Sequence, residues 1–458
     1  MTDDRKDEKS SERAWEPRLP KEQIGENFRE IRPPLSDDEA LVEAQRCFYC
    51  PFDTPCTRGC PTNIDIPTFI RQIAEGDAKQ AARTILSANI FGAVCARVCP
   101  VEKLCEQLCI CDTIHGKPIQ IGKLQRYATD RLMESGELPF RRGAPTGRRV
   151  AIVGAGPAGI SAAFELARLG HGPVVFEKDN EPGGLDRYGI AEYKIDATFV
   201  RKELTYLLRI GGVELHVCEP PVNADELRHL QTSHDAVLLA VGLGPTRQLG
   251  IPGEELEGSE DALNFIRAIK TRPLDTIQVG SQVIVVGAGN TAVDAATQAK
   301  RLGASSVTIA YRRDRRFVKC TDHEFDLAQG DGCEWSWNAT PLEVLGEDGR
   351  VAGVRFRDMR DPESAPYDLP CDHFIKATGQ VAHPWLRDVE GLELSDNGTL
   401  RVDPLTWMTS IPGVFAAGDC VVRAKEVVNA VREGKAAALA IDGWLVNARP
   451  SEWAARGR

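Results

Sequence analysis

The chain has 458 residues, 42% hydrophobic and 27% charged, with a net charge of −11. That length exceeds one ordinary core and sets an expectation of two or three globular domains. No basic block suited to a phosphate backbone and no run near the ~20 apolar residues of a membrane span is present, so neither nucleic acid nor a bilayer is an expected partner.

Met1 to Pro20 is highly charged and lacks the apolar region of a secretory signal, so residues 1–20 are expected to form a flexible tail. Fourteen cysteines in such a chain are expected to be reduced thiols of a cytoplasmic protein rather than disulfides. Nine of them lie between Cys47 and Cys111, upstream of two glycine-rich loops. The others, Cys218, Cys320, Cys333, Cys371 and Cys420, stand singly. No Cys-x-x-Cys pair is found among them, which argues against a disulfide relay beside a flavin.

Residues 21–140 show short helical patterns and no strand-like runs. Ile64 to Ala88 reads as one amphipathic helix, with Ile66, Phe69, Ile70, Ile73 and Ala74 at helical spacing. The cysteine spacings are Cys47-x2-Cys50-x5-Cys56-x3-Cys60 and Cys95-x3-Cys99-x5-Cys105-x3-Cys109, with Cys111 just beyond. Quartets of thiolates hold iron–sulfur clusters or zinc. Gaps of three and five residues are not zinc-ribbon spacing, and zinc would give electrons from a flavin nowhere to go. Two [4Fe–4S] clusters need eight ligands, so with nine cysteines at least one is spare.

Arg141 to Arg149 is a basic, glycine- and proline-containing linker. After it Val150–Val153 reads as a buried strand, Gly154-Ala-Gly-Pro-Ala-Gly159 as a G-x-G-x-x-G turn, and Ile160 to Leu169 as a helix. In such a turn Gly154 permits the bend, Gly156 admits a diphosphate, and Gly159 lets helix and strand close up. Glu177, ending the next strand, suits ribose hydroxyls. The design recurs at Val283–Val286, with the turn Gly287, Gly289, Ala292 and a helix from Val293 to Leu302. Here the next strand, Val307–Ala310, ends without an acid and runs into Tyr311-Arg-Arg-Asp-Arg-Arg316. Losing the carboxylate and gaining guanidinium groups favours NADP over NAD. Short strands around Phe374–Gly379 and Gly413–Asp419 follow, and then a helix from Val427 to Trp444.

Ala377-Thr-Gly379 and Gly413-Val-Phe-Ala-Ala-Gly-Asp419 resemble the late motifs of flavoproteins with two dinucleotide domains. From about Ala40 onward the chain resembles the glutamate synthase small subunit and the NADPH-oxidising half of dihydropyrimidine dehydrogenase. Arg97-Val-Cys-Pro-Val-Glu-Lys-Leu-Cys-Glu106, Tyr188-Gly-Ile190 and Tyr311-Arg-Arg313 carry that likeness. It implies an α/β fold: a helical N-terminal iron–sulfur domain (21–140), a discontinuous FAD domain (148–280 and 375–458) and an NAD(P)H domain (281–374), both Rossmann-like.

The resemblance also implies the site residues. Gly154, Gly156, Pro157, Ala158, Glu177, Lys178, Gly184, Leu185, Lys194, Gly418, Asp419 and Val427 would bind FAD, and Ala377, Thr378 and Gly379 are cofactor-binding as well. Ala288, Gly289, Asn290 and Thr291 would hold the NADP diphosphate, and Arg312 and Arg313 its 2′-phosphate. Asn290 replaces an aspartate common in the family. Cys47, Cys50, Cys56 and Cys109 would ligate one cluster, and Cys60, Cys99, Cys105 and Gln125 the other, the last cysteine of each run serving the opposite cluster. Cys95 and Cys111 become bystanders, with Cys95 the rival to Gln125.

The chemistry demands no general acid or base, so no catalytic side chain is expected. A substrate site would need a further FMN-bearing barrel of ~250 residues, for which no length remains. The reading is an NAD(P)H-oxidising, FAD- and iron–sulfur-dependent subunit. An FMN-containing partner would reduce uracil or thymine. A glutamate synthase small subunit and a stand-alone NAD(P)H:ferredoxin-type oxidoreductase are the alternatives.

Overall fold

The computed structural model describes residues 19–421 and 426–447, so the expected tail at 1–20 lies outside the described residues except for Leu19 and Pro20. The chain divides into two compact units, residues 30–247 with 379–458, and residues 1–29 with 248–378.

The described residues open with α1 (Lys21–Asn27) in the second of these units, where Ile24 and Phe28 enter its core. The helical part of the first unit follows, with α2 (Asp37–Gln45), α3 (Pro55–Gly59), α4 (Ile66–Ala74), α5 (Ala78–Ala88), α6 (Gly92–Val98), α7 (Ile110–His115) and α8 (Ile121–Glu134). The single helix expected over Ile64–Ala88 is two helices. Gly76 takes a left-handed φ of +85° and the Asp77 side chain caps α5, while the apolar stripe resumes in register beyond the break.

The rest of the first unit is a parallel sheet. Strands β1 (Arg149–Val153), β2 (Gly172–Phe176), β3 (Glu214–His216) and β4 (Ala236–Leu239) are joined through α9 (Pro157–Arg168), α10 (Leu185–Tyr188), α11 (Ala197–Leu208) and α12 (Ala224–Ser233). Apolar residues of α4, α5, α6 and α8 share one core with β1, α9 and α11. No separate core therefore marks off residues 30–140 from the first dinucleotide fold.

In the second unit β5 (Ser259–Asp261) and α13 (Ala262–Thr271) precede β6 (Gln282–Val286), α14 (Asn290–Arg301), β7 (Ser306–Tyr311), α15 (Asp322–Gly330) and β8 (Glu334–Trp337). An antiparallel sheet not foreseen from the sequence, β9 (Ala339–Glu347), β10 (Arg350–Asp358) and β11 (Tyr367–Pro370), leads to β12 (His373–Lys376). The parallel order is β5-β12-β6-β7-β8. Because β5 and β12 both pair into this sheet, the unit spans 248–378 rather than the expected 281–374. The chain then returns to the first unit, where β13 (Val414–Ala416) completes the order β13-β4-β1-β2-β3, and α16 (Val427–Asn447) packs on α9.

Candidate cofactor and cluster sites

Both dinucleotide turns sit where a doubly wound sheet places a ligand, beyond the carboxyl end of a central strand and at a helix start. In the first, Gly154 has φ +103°, and a Cβ there would drive into the Ala240 carbonyl. A Cβ on Gly159 would meet the Gly154 carbonyl, so that glycine is fixed by close packing of helix on turn. Gly156 lies close against Gly184, where a Cβ on Gly184 would crowd the Gly156 backbone, and Pro157 and Ala158 begin α9 behind it. This cradle of backbone without side chains fits a diphosphate.

Glu177 is 5% exposed and spans the turn: its carboxylate accepts the Ala155 amide at 2.7 Å and the Asp179 amide at 2.9 Å. Lys178 pairs with Asp179 at the surface, Leu185 opens α10 in an exposed position, and Lys194 is buried. Gly418 and Asp419 follow β13, and Val427 is the first residue of α16. The Gly418 amide donates to Glu433 at 2.9 Å. Burial pushes the Glu433 carboxyl up to about 7, and the nearby Asp419 adds to the effect. Nothing in the sequence marked Glu433, which lies in a helix beyond the glycine motif.

In the second turn Gly287 packs against Ala377, whose amide donates to the Val286 carbonyl. Thr378 ends the second unit and Gly379 begins the return. Ala288 is buried, and its carbonyl accepts the amides of Lys319 and Cys320, which brings the loop after β7 onto the turn. Gly289 caps α14, and Asn290 and Thr291 form its first turn. The Asn290 side-chain oxygen is buried without a hydrogen-bond partner among the described residues. An acceptor so placed fits a ligand that supplies a donor. Arg312 and Arg313 are exposed at the end of β7 and make no ion pair among the described residues; Arg313 lies over the Phe317 ring. Arg316 differs, being held by Asp314 at 2.7 Å.

Cysteine environments fall into two groups. Burial raises the Cys47 thiol, and Cys109 and Cys50 raise it further; burial with Cys47, Cys109 and Cys50 pushes Cys56 up to about 12. Tyr49, a non-glycine residue at φ +48°, bends the chain between Cys47 and Cys50 and donates its amide to the Cys47 sulfur. In the second group the Cys99 thiol is raised by a hydrogen bond with Cys95, by burial and by Cys105 and Cys60, and Cys105 is raised by burial, Glu106 and Cys60, with a further push from Cys56 of the first group. Thiols that resist ionisation because of one another are a donor set that a bound cation would convert to thiolates. No three His, Cys, Asp or Glu side chains among the described residues converge on one point to hold a single ion.

Cys109 acts on Cys47 and Cys56, and Cys60 on Cys99 and Cys105, with Cys56 also acting on Cys105. Gln125 is 7% exposed rather than a surface glutamine, and its side-chain amide donates to the Gly92 carbonyl at 2.7 Å. Cys95 lies against Cys99, and Cys111 against Cys109. Arg32, which the sequence did not single out, donates to the Cys99 carbonyl at 2.9 Å. The single cysteines Cys333, Cys371 and Cys420 are pushed up to about 12, chiefly by burial, as inert interior thiols are.

Residues 148–434 match the family model described as pyridine nucleotide-disulphide oxidoreductase, and residues 24–137 the one described as "Dihydroprymidine dehydrogenase domain II, 4Fe-4S cluster". The chain belongs to this family of FAD- and iron–sulfur-dependent NAD(P)H oxidoreductase subunits. It is 34% identical over 420 residues to the NAD-dependent dihydropyrimidine dehydrogenase subunit PreT homolog of Salmonella typhi, covering 92% of this chain and 97% of that one. It is 33% identical to the glutamate synthase [NADPH] small chain of Halomonas elongata, covering 91% and 93%. In fold it matches T. acidophilum thioredoxin reductase with a TM-score of 0.53 at 21% identity, over 66% of this chain and all of that one. Among the described residues no helix is long and apolar enough to cross a membrane.

Proposed function

We propose that the chain is a cytoplasmic electron-input subunit that oxidises NADPH, or NADH, at FAD and passes electrons through two [4Fe–4S] clusters. An FMN-containing partner subunit then reduces uracil or thymine to the 5,6-dihydropyrimidine. The observation that supports the reading is the mutual influence of the thiols: Cys47, Cys50 and Cys109 act on Cys56, and Cys95, Cys105 and Cys60 on Cys99, while buried Gln125 is the eighth ligand by family resemblance. Bound FAD would accept two electrons together and release them singly, as one-electron clusters require.

The chain's own residues bind and orient. The Gly154–Gly159 turn and Gly184 cradle the FAD diphosphate, Glu177 reads its ribose, and the Gly418 loop fixes its far end. At the second turn Ala288, Gly289, Asn290 and Thr291 hold the diphosphate of NADPH, and Arg312 and Arg313 offer two uncommitted guanidinium groups to its 2′-phosphate. No side chain needs to move a proton for hydride transfer.

A glutamate synthase small subunit is the second reading, favoured by a relative of that name at nearly equal identity. Co-purification with candidate FMN-containing subunits, followed by NAD(P)H oxidation assays, separates the two. Oxidation driven by uracil or thymine is expected. Oxidation driven only by 2-oxoglutarate with glutamine would overturn the pyrimidine assignment, and failure of NADPH to bleach the purified protein would overturn the electron-input role itself.

A further inference from the structure

Glu203 lies on α11 and is 1% exposed. Its carboxylate reaches off its own helix to accept the main-chain amides of Ala93 at 2.9 Å and Val94 at 3.2 Å, in the first turn of α6. The residue before them, Gly92, accepts the side-chain amide of Gln125 at 2.7 Å. From that turn α6 carries Cys95 and ends at Cys99. One buried acid therefore holds, through three consecutive residues, both the glutamine and the helix that present the second group of ligands.

Satisfying two amides does not require a buried charge, since a Ser or Asn cap does so at far lower desolvation cost. Burial pushes the Glu203 carboxyl up to about 8, against the pull of the Ala93 and Val94 amides and of Arg97. The charged and titratable groups facing it are Arg97 from α6, Asp186 from α10, and Tyr206 on its own helix.

We propose that Glu203 is a positioning residue of the second cluster, orienting Gln125 through the first turn of α6 and setting the cluster's potential by its own charge. This deepens the proposed function and rests on the assignment of Cys60, Cys99, Cys105 and Gln125 as ligands. A reduced cluster carries one more negative charge, which an ionised carboxylate opposes and a neutral carboxyl does not. In alkaline solution, one-electron reduction by NAD(P)H through FAD therefore draws one solvent proton onto a Glu203 carboxylate oxygen. One O–H bond forms and no bond of the chain breaks. At lower pH the carboxyl already holds that proton, and reduction draws none.

The test is a redox titration of the holoprotein between about pH 7 and pH 10, followed by the electron paramagnetic resonance signal of each cluster. In the wild type one midpoint is expected to be flat at the lower end and to fall at the upper end. The slope should approach ~59 mV per tenfold change in proton concentration, the value for a one-electron couple. Glu203→Gln keeps an oxygen for the two amides; it should keep the line shape and hold its midpoint at the low-pH value throughout. A wild-type midpoint that does not move with pH overturns the proposal without recourse to a variant, as does a Glu203→Gln titration that follows the wild type. Gln125→Ala should change the line shape of the same signal. If it leaves both signals unchanged, the ligand assignment fails, a result distinct from failure of the Glu203 role.

Discussion

The two dinucleotide turns share a backbone plan and differ in what meets the ribose end. At the first, Glu177 is buried and already bonded to the turn it serves, so that end is stiff before any ligand arrives. At the second, Arg312 and Arg313 are exposed and in no ion pair among the described residues, and Asn290 carries a buried acceptor. A preorganised, enclosed turn suits a resident cofactor, and a solvated one suits a nucleotide that must leave after each turnover. Under the proposed function, one scaffold would serve retention and exchange through the side chains that close it.

Gly154→Ala should break the contrast most severely. The new methyl requires φ +103° and enters the space of the Ala240 carbonyl, so a loss of roughly 1–3 kcal/mol from backbone strain is expected, with more from the overlap. Protein purified without flavin colour and with a lowered Tm would bear this out; full flavin content would show that the turn tolerates remodelling. Removing both uncommitted guanidinium groups, Arg312→Ala with Arg313→Ala, should raise the KM for NADPH by roughly 10- to 100-fold, the scale of charge-assisted hydrogen bonds, with the KM for NADH little changed. Arg316→Ala, which loses an exposed pair with Asp314 and a contact with the Phe317 ring, is the control and should change it by less than about threefold.

A smaller effect follows from Glu433 beneath the flavin loop. Its carboxyl is held up to about 7 in the folded chain against an ordinary value of 4.5, so between those values the folded state binds the proton more tightly than the unfolded state. Stability from this group is therefore full at low pH and declines as pH rises from about 4.5 to about 7. Glu433→Gln should flatten the Tm profile across that window, and an unchanged slope would assign the pH dependence elsewhere.

Both turns were legible in the sequence because their signals are local: a short apolar strand, glycines at fixed offsets, and an acid or arginines one strand later. The proposed division of the cysteines rests on family resemblance alone, since spacing does not say which cluster Cys60 and Cys109 would serve. Glu203 and Glu433 carried no signal. The first finds its partners 110 residues away, and the second hangs from a helix whose pattern records only burial. The break at Gly76 was hidden because the apolar stripe keeps its period across it. The start of the second unit at 248 was hidden because β5, only three residues long, has no strand-like run.

The attachment of α1 also shapes how the chain is made. Asn27 hydrogen-bonds with Arg301 across 274 residues, and Ile24 and Phe28 fill a core whose other members begin at Ala262. At ~5–20 residues per second, a ribosome needs on the order of ten seconds to a minute to supply those partners. For that interval a nascent helix with two unsheltered apolar side chains waits while the metal-binding and flavin-binding parts emerge. Among the described residues, the first helix synthesised thus waits longest for the partners of its core.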